Sequence, residues 1–509
     1  MPRHNVFWGP VSEPYDTRKR SELPQVAAIL DDFSHQSFNN SANIWRVFPE
    51  TAGADLKEIH PDFLLVESAW AGNFEKWKYK VTHKAQPSRE LVALVERAKQ
   101  LSIPTVFWNK EDPPHFTDFV STAGMFEHIF TTEEAVIPKY LAQTDAKSVD
   151  LLRFAANPVI HNPRRVEGYR EGDICFAGMY FSHKYPERRE QMLTLFPPAI
   201  DFNFEIYSRH AGGDSRYQFP QPFNDLVVGK LPYSKMIEAY RKYKVFLNVN
   251  SVPNSQSMCA RRVYELSAAK TAVVGMDSNA IRSIYDESEV LLARSPGEVR
   301  EIYELLIENE GARRRITQRA WRKTLSAHTY NHRMGQIVEA VGGAKPQSKV
   351  RILVVVANNR ASSRVLDEIH RQMFTVDADV ELEIVNWDRE EGNEVDFASL
   401  KLADFHVAFV DGNYKIGGFY LNDLLLTLRQ QDANFVCKSP GWTRGFREYE
   451  EDFSQELPTY GWLARQGEIM CAQDLRDALA EDSKDRRVYW TDPCGIAPRD
   501  GSSSELLEA

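Results

Sequence analysis

The sequence predicts an α/β fold in which parallel sheets are covered by helices on both faces. Short apolar and β-branched runs, such as 26–30, 63–68 and 244–250, alternate with amphipathic helical segments. Strands that are apolar along their whole length belong inside a sheet with both faces buried, and alternation with helices is typical of parallel strands. Because 509 residues exceed what one hydrophobic core supports, we expect two or three domains.

Residues 243–275 carry the most informative pattern, which reads as strand, polar loop, helix and strand. We expect the helix to start near Ser255 or Ser257, either of which could cap it. Its amino end would open into the loop beyond the first strand, where open α/β sheets bind phosphates. Glu265 would then lie about two turns into the helix, placed to accept both hydroxyls of a ribose.

Cations lie close to this helix in the sequence. Arg261 and Arg262 fall at its expected midpoint and could neutralise a diphosphate. Gly178 ends another predicted strand and allows close backbone approach, while Lys184 and Arg188 follow it in a loop. An ordinary βαβ unit with solvated charges and a basic turn also explains these spacings.

The decapeptide that starts at Glu265, Glu-Leu-Ser-Ala-Ala-Lys-Thr-Ala-Val-Val, resembles the Glu-Ala-x-Ala-x-Gly-x-Pro-Val-Val signature in the nucleotide-sugar half of GT-B glycosyltransferases. Residues 61–73, 103–116, 128–140 and 174–189 resemble the CgeB-like (spore maturation type) group. The resemblance implies two Rossmann-like domains that face a cleft, with the glutamate on the donor ribose. It also implies sugar transfer from a UDP-, GDP- or dTDP-linked donor to a hydroxyl of a glycan or other acceptor. Cations and helix amino ends could serve the diphosphate, so we expect no metal requirement.

One departure from the family concerns the donor sugar. Many retaining GT-B enzymes carry two glutamates eight residues apart, and counting back from Glu265 gives Ser257. We therefore expect Asn254 or Ser255 to contact the sugar. The motif does not indicate whether the reaction retains or inverts configuration.

An inverting transfer needs a base for the acceptor's proton. Candidate groups follow three strands of the first domain: Asp31 with Asp32, Glu67, and Glu111 with Asp112 and His115. In GT-B enzymes, the strand before the last of these groups commonly ends near the reacting sugar. We predict that Asp112 or Glu111 accepts the proton and that His115 orients or shares it. The alternative is that Asp112 caps the turn formed with its two following prolines.

The predicted segments are a first domain at 1–165, a nucleotide-sugar domain at 166–341, a linker at 342–349, a C-terminal domain at 350–482 and a polar tail at 483–509. The C-terminal domain resembles a GT-A glycosyltransferase of the family-two type through Asn359, Arg360 and residues 420–425. Where that family carries consecutive aspartates, this chain has only Asp411, and one carboxylate is a poor site for a hard cation. We expect a non-catalytic domain that serves acceptor binding or homo-oligomerisation.

Composition limits the kinds of partner and the cellular compartment that we expect for the protein. A net charge of −10 argues against a generally nucleic-acid-binding surface. Five scattered cysteines without a C-x-x-C pair fit free thiols in a reducing compartment and give no zinc site. The amino terminus lacks a signal-peptide core and the apolar runs are too short to span a bilayer, so we expect a cytoplasmic protein.

The alternatives to a transferase are a non-catalytic nucleotide- or sugar-binding module and a nucleotide-sugar epimerase.

Overall fold

The chain forms two compact units. The structure is a computed structural model, and it describes residues 23–51, 53–82, 87–344, 349–357, 362–387, 404–431, 433–438, 452–454, 461–466, 487–491 and 496–498. Unit 1 comprises Met1–Leu152 with Met334–Ala344, and unit 2 comprises Arg153–Arg333 with Lys345–Ala509. Of the described helices, none combines the length and apolar character needed to cross a membrane.

Unit 1 is built on a parallel sheet of six strands. The strands are β1 (Gln25–Ile29), β2 (Asn43–Arg46), β3 (Phe63–Glu67), β4 (Thr105–Asn109), β5 (His128–Thr131) and β6 (Ser148–Leu151). The helices between them are α1 (Asp32–Phe38), α2 (Leu56–Ile59), α3 (Arg89–Gln100), α4 (Phe116–Ala123) and α5 (Ile137–Gln143). Strands β3, β4 and β5 are buried along their whole length, as expected for a sheet covered on both faces.

Unit 2 begins with a second parallel sheet of six strands. Its strands are β7 (Gly172–Gly178), β8 (Phe204–Ser208), β9 (Val227–Gly229), β10 (Tyr243–Asn248), β11 (Ala272–Met276) and β12 (Leu291–Ala293). Its helices are α6 (Pro186–Ala199), α7 (Tyr233–Lys242), α8 (Arg261–Ala268), α9 (Asn279–Arg282), α10 (Pro296–Glu308), α11 (Glu310–Ala327) and α12 (Tyr330–Ala340). The end of α12, from Met334, belongs to unit 1.

The strand orders of these two sheets locate their ligand-binding edges. The first sheet has the order β2-β1-β3-β4-β5-β6 and the second the order β12-β11-β10-β7-β8-β9. The second is the order of the doubly wound dinucleotide-binding fold. The topological switch point, where the order of the strands reverses, lies between β1 and β3 in the first sheet and between β7 and β10 in the second. Open α/β sheets bind ligands outside the carboxyl ends of the strands at such points. The predicted α/β fold of two Rossmann-like domains is confirmed.

The C-terminal part of unit 2 forms a third, mixed sheet. Its strands are β13 (Lys349–Ala357), β14 (Asp379–Trp387), β15 (His406–Asp411), β16 (Tyr414–Ile416), β17 (Phe435–Lys438), β18 (Asp452–Ser454), β19 (Gly461–Ala464), β20 (Val488–Thr491) and β21 (Ile496–Pro498). Its helices are α13 (Ser362–His370) and α14 (Tyr420–Gln430). The order is β14-β13-β15-β19-β17-β20-β18, with β16 and β21 paired separately. The sheet therefore continues past residue 482, where the sequence predicts a polar tail, because β20 pairs with β17.

Candidate functional site

The helix expected near Ser255 begins later than the sequence suggests. Helix α8 starts at Arg261, with Ala260 at its cap position. Ser255 Oγ accepts hydrogen bonds from the backbone N–H groups of Ser257 (3.1 Å) and Met258 (2.7 Å), so its hydroxyl stabilises a turn in the loop instead of capping the helix. The predicted helix start is therefore wrong. The correction places Arg261 and Arg262 in the first turn, at the end where backbone N–H groups are free.

Three arginines at the carboxyl ends of β7, β8 and β10 lie near one another in unit 2: Arg188, Arg209 and Arg262. Burial and the nearby charge of Arg262 lower the pKa of Arg188 to about 10, and the same two causes lower the pKa of Arg209. No carboxylate among the described residues lies within ion-pair distance of the three side chains. The Nε atoms of Arg188 and Arg262 are buried and have no hydrogen-bond partner. Arg188 and Arg262 are half-buried and Arg209 is exposed, so three like charges lie close together where a ligand can reach them, and this cluster is suited to bind an anion.

Arg188 also joins the two loops that flank the topological switch point of the second sheet, between β7 and β10. Its Nη1 donates to the carbonyl of Val249 (3.1 Å) and to Ser251 Oγ (3.0 Å), both in the loop after β10. Its Nη2 lies 3.5 Å from the carbonyl of Met179 in the loop after β7. The arginine thus fixes both loops at the edge where a ligand is expected.

The remaining predicted donor-site residues differ in position. Gly178 ends β7, and a Cβ atom there would lie 2.7 Å from the ring of Phe176, so a side chain does not fit. Lys184 is exposed, and its Nζ lies 4.8 Å from the centroid of the Phe181 ring. Asn254 is exposed, while Ser255 and Ser257 are buried. The exposed residues can reach a ligand without rearrangement, and the two buried serines cannot.

Glu265 is fully buried, and both of its oxygens already have partners. Oε1 accepts from Tyr233 Oη (2.8 Å) and pairs with Arg261 Nε (2.8 Å), and Oε2 accepts from Tyr240 Oη (2.8 Å). Burial alone would raise the pKa of Glu265, but Arg261, His161 and the two tyrosines lower it to about 2. In this structure side chains of unit 2 fill the hydrogen-bonding capacity of Glu265, and the predicted contact of this carboxylate with a ribose stays a prediction.

His161 completes this network in a defined protonation state. Its Nδ1 accepts a hydrogen bond from the backbone N–H of Asn157 (3.0 Å), so the ring proton resides on Nε2. Burial lowers the pKa of His161 to about 4, which keeps the ring neutral at pH 7. The Nε2 proton is donated to Tyr233 Oη (2.8 Å), and Tyr233 donates in turn to Glu265. This chain of bonds fixes α8 against α7.

Asp112 lies in unit 1, and its carboxylate is turned into the protein. It is 0% exposed. Oδ1 accepts from Asn109 Nδ2 (2.9 Å), while Oδ2 accepts from Thr131 Oγ1 (2.6 Å) and Tyr140 Oη (3.0 Å). Burial raises the pKa of Asp112 to about 6. In this structure the oxygens of Asp112 hold β4, β5 and α5 together, and its role as the base for the acceptor's proton stays a prediction.

The two neighbours of Asp112 remain partly accessible. Glu111 is half-buried, and its backbone N–H donates to Asn109 Oδ1 (3.1 Å). His115 Nδ1 lies 2.8 Å from Asp118 Oδ2, so its ordering partner is Asp118 and not Asp112. The expected sharing of a proton between His115 and Asp112 is therefore not seen. The roles of Glu111 and His115 in proton transfer stay predictions.

A different charged cluster occupies the carboxyl edge of the first sheet near its topological switch point, between β1 and β3. Lys110, after β4, pairs with Asp31, after β1, and its Nζ lies 3.1 Å from Oε1 of Glu67, at the end of β3. The backbone N–H of Asp31 also donates to Glu67 Oε1. Glu67 is fully buried and its Oε2 has no hydrogen-bond partner. Burial and the charge of Asp31 raise the pKa of Glu67 to about 7 although Lys110 opposes them.

Sequence reasoning gave Lys110 and Arg209 no role. Each lies directly after a strand of the structure, β4 or β8, and a charge at the end of an apolar run was the available signal. Their partners come from other strands, so strand order was needed to bring them together.

The C-terminal sheet offers less for chemistry. Asp411 Oδ1 accepts from the backbone N–H of Asn413 (2.8 Å) and closes a turn. Asn359 and Arg360 lie outside the described residues. Within the described ranges, no group of three or more histidine, cysteine, aspartate or glutamate side chains is placed to hold a metal ion. The resemblance of this domain to GT-A enzymes stays a prediction.

Comparisons with known proteins bear on the second sheet. Residues 188–339, from α6 into α12, match the family model described as glycosyl transferase-like. No curated protein matches the sequence significantly.

Similar solved structures include three bacterial proteins. TarM of S. aureus is 12% identical with a TM-score of 0.37, over 58% of this chain and 58% of that chain. HepE of Anabaena, in complex with UDP and glucose, is 10% identical with a TM-score of 0.38, over 62% of this chain and 91% of that chain. A glycosyltransferase from Rickettsia africae is 9% identical with a TM-score of 0.40, over 63% and 98%. The chain thus spans 58% of the length of TarM. The matched segment is the part of the chain that carries Arg188, Arg209 and Arg262.

Proposed function

We propose that the chain is a glycosyltransferase that moves a sugar from a nucleotide-diphosphate sugar to a hydroxyl of a glycan or other acceptor. The observation that carries this proposal is the cluster of Arg188, Arg209 and Arg262 at the carboxyl edge of the second sheet, inside the segment that matches the glycosyl transferase-like family. The negative charge of a diphosphate would offset the like charges of the three arginines, and its oxygens are good acceptors for guanidinium groups.

The three arginines would act on both the bound donor and the leaving group. Sugar transfer leaves a nucleoside diphosphate with increased charge on its terminal phosphate, and cations that lie near that phosphate stabilise the transition state. Arg262 lies in the first turn of α8, so the free N–H groups of that turn add to the same field. Three fixed cations provide the stabilisation for which other enzymes use a divalent metal, and we propose a metal-independent transfer.

Glu265 would act indirectly in this site. With both oxygens bound to Tyr233, Tyr240 and Arg261, the carboxylate positions α8 and with it Arg262. We assign the acceptor's proton to Glu111, because its side chain is half-buried, whereas Asp112 and Glu67 are fully buried.

A substitution of Arg262 tests the donor site. Arg262→Ala removes one charge-assisted contact to the diphosphate, which is worth about 1.5–3 kcal/mol, so we expect the Kd for the best-bound nucleoside diphosphate to rise roughly 10- to 100-fold. Calorimetric titration with UDP, GDP and dTDP measures this change. Arg300→Ala is the control, since Arg300 is exposed and paired with Asp201 and Glu304. Equal affinities for the wild type and Arg262→Ala would contradict the assignment.

The type of reaction is tested with nucleotide sugars. The protein is incubated with UDP-, GDP- and dTDP-linked sugars, and nucleotide release is measured together with thermal shift. Slow release that an added glycan accelerates indicates transfer. Thermal shift without release indicates a binding module, and a new sugar without an acceptor indicates an epimerase.

A further inference from the structure

The strongest departure from the donor-site signature lies where the C-terminal sheet meets the second sheet. Lys270 occupies the position of the signature's glycine, and its φ of 51° is in the left-handed region that favours glycine. The lysine is 8% exposed. Its Nζ donates to Thr491 Oγ1 (3.2 Å) on β20 and lies 4.7 Å from the centroid of the Trp321 ring. Contacts to the C-terminal sheet and to α11 thus offset the strain of a lysine at this position.

Gln430, the last residue of α14, contacts the same region from the C-terminal domain. It is 4% exposed. Its Nε2 donates to the carbonyl of Ala268 (3.2 Å), at the end of α8, and to the carbonyl of His161 (3.1 Å). Its Oε1 accepts from Trp321 Nε1 (3.1 Å) on α11. Carbonyls at the end of a helix lack partners within that helix, and this one is satisfied from the C-terminal domain.

A buried ion pair anchors α14 next to these contacts. Asp423 Oδ1 accepts from Arg322 Nε (2.8 Å), and its Oδ2 accepts from Arg322 Nη2 (2.8 Å) and Gln318 Nε2 (2.8 Å). Lys438 Nζ lies 3.5 Å from the same carboxylate. Asp423 is 1% exposed and Arg322 is 7% exposed. The buried, bidentate pair of Arg322 and Asp423 has one favourable geometry, so it holds α14 at a fixed position on α11.

We propose that the C-terminal domain is a clamp on the donor-site helix α8, and that Gln430 is the positioning residue through which it acts. Gln430 holds the carboxyl end of α8, while the amino end of α8 carries Arg262. The same side chain holds His161, whose ring orients Tyr233 and hence Glu265 in the middle of α8. Loss of Gln430 therefore loosens α8 at two points. The step from α8 to ligand affinity rests on the proposed function.

The test compares two buried residues of α14. In Gln430→Ala, we expect the Kd for the best-bound nucleoside diphosphate to rise about fivefold or more and amide exchange in 261–268 to speed up. The control is Thr427→Val, because Thr427 Oγ1 donates to the carbonyl of Asp423 (2.7 Å) within α14. Thermal midpoints of both variants are recorded. Thr427→Val keeps the side-chain contacts of Gln430 and Asp423, so we expect it to leave the Kd and the exchange in α8 unchanged.

The outcomes separate this inference from the proposed function. If the two variants change Kd and α8 exchange equally, or if Gln430→Ala changes neither, the clamp is wrong. If the wild type binds no nucleoside diphosphate, the proposed function fails, and exchange in α8 still decides on the clamp. If Gln430→Ala does not fold, Thr491→Val removes only the hydroxyl that Lys270 contacts. Faster exchange at 268–271 in that variant supports the clamp, and unchanged exchange overturns it.

Discussion

At the scale of single residues, Glu67 shows most clearly how the fold alters the chemistry of a side chain. It is fully buried at the end of β3, with one oxygen beside Lys110 and the backbone N–H of Asp31 and the other without a partner. A buried carboxylate in which only one of the two oxygens has partners favours its protonated form. The residue can therefore hold or release a proton near neutral pH, whereas the partners of Glu265 keep that carboxylate ionised.

The protonation of Glu67 predicts a pH dependence of stability. Its pKa is about 7 in the folded chain against 4.5 ordinarily, so between these values the folded state keeps a proton that the unfolded state has lost. Stability falls as pH rises through this window, by about 3 kcal/mol in total. Glu67→Gln cannot ionise, so we expect its free energy of unfolding to gain on the wild type from pH 5 to pH 8 in urea titrations. Glu75→Gln, at an exposed site, is the control, and parallel curves for Glu67→Gln and wild type would refute the assignment.

At the scale of elements, the start of α8 decides what its first turn can bind. The sequence offers two serines that could cap a helix, but Ser255 stabilises the loop turn and the helix starts six residues later, at Arg261. A later start moves Arg262 from the side of a helix to its amino end. The field of the helix and the charge of the arginine then act on the same ligand.

A substitution in this loop tests the link between turn and helix. Ser255→Ala removes two hydrogen bonds to backbone N–H groups, and we expect a loss of about 1–2 kcal/mol in the free energy of unfolding. Because the turn positions Arg262, nucleoside diphosphate affinity should fall as well. Ser288→Ala removes a hydroxyl from an exposed turn and serves as the control. An unchanged affinity in Ser255→Ala would separate the turn from the binding site.

At the scale of the whole molecule, the second and third sheets belong to one compact unit. The buried contact of Arg322, Gln318 and Lys438 with Asp423 joins them. A buried charge pair adds little net stability compared with apolar residues, but the loss of one partner leaves the other charge buried and alone.

This contact gives a testable difference between single and double variants. Asp423→Ala leaves Arg322 without its carboxylate, and we expect a loss of about 3–5 kcal/mol in the free energy of unfolding. The double variant Arg322→Met/Asp423→Leu should recover only the part of that loss that Arg322 causes, because Lys438 and Gln318 lose the same carboxylate. Urea unfolding followed by tryptophan fluorescence measures both. A loss below about 1 kcal/mol in Asp423→Ala is the value of an exposed pair and would contradict the buried geometry.

The sequence by itself determined the class of fold and the general region of the proposed donor site. Largely apolar strands such as 63–68 and 244–250 belong in covered sheets, and local periodicity shows where they are. The tertiary structure alone decided which charges meet at the edges of the sheets. It turned Asp112 towards Thr131 and Tyr140, and it brought Lys110 between Asp31 and Glu67. The physical reason is that each of these partners comes from a different strand, and the order of strands in a sheet is not written in the periodicity of any one segment.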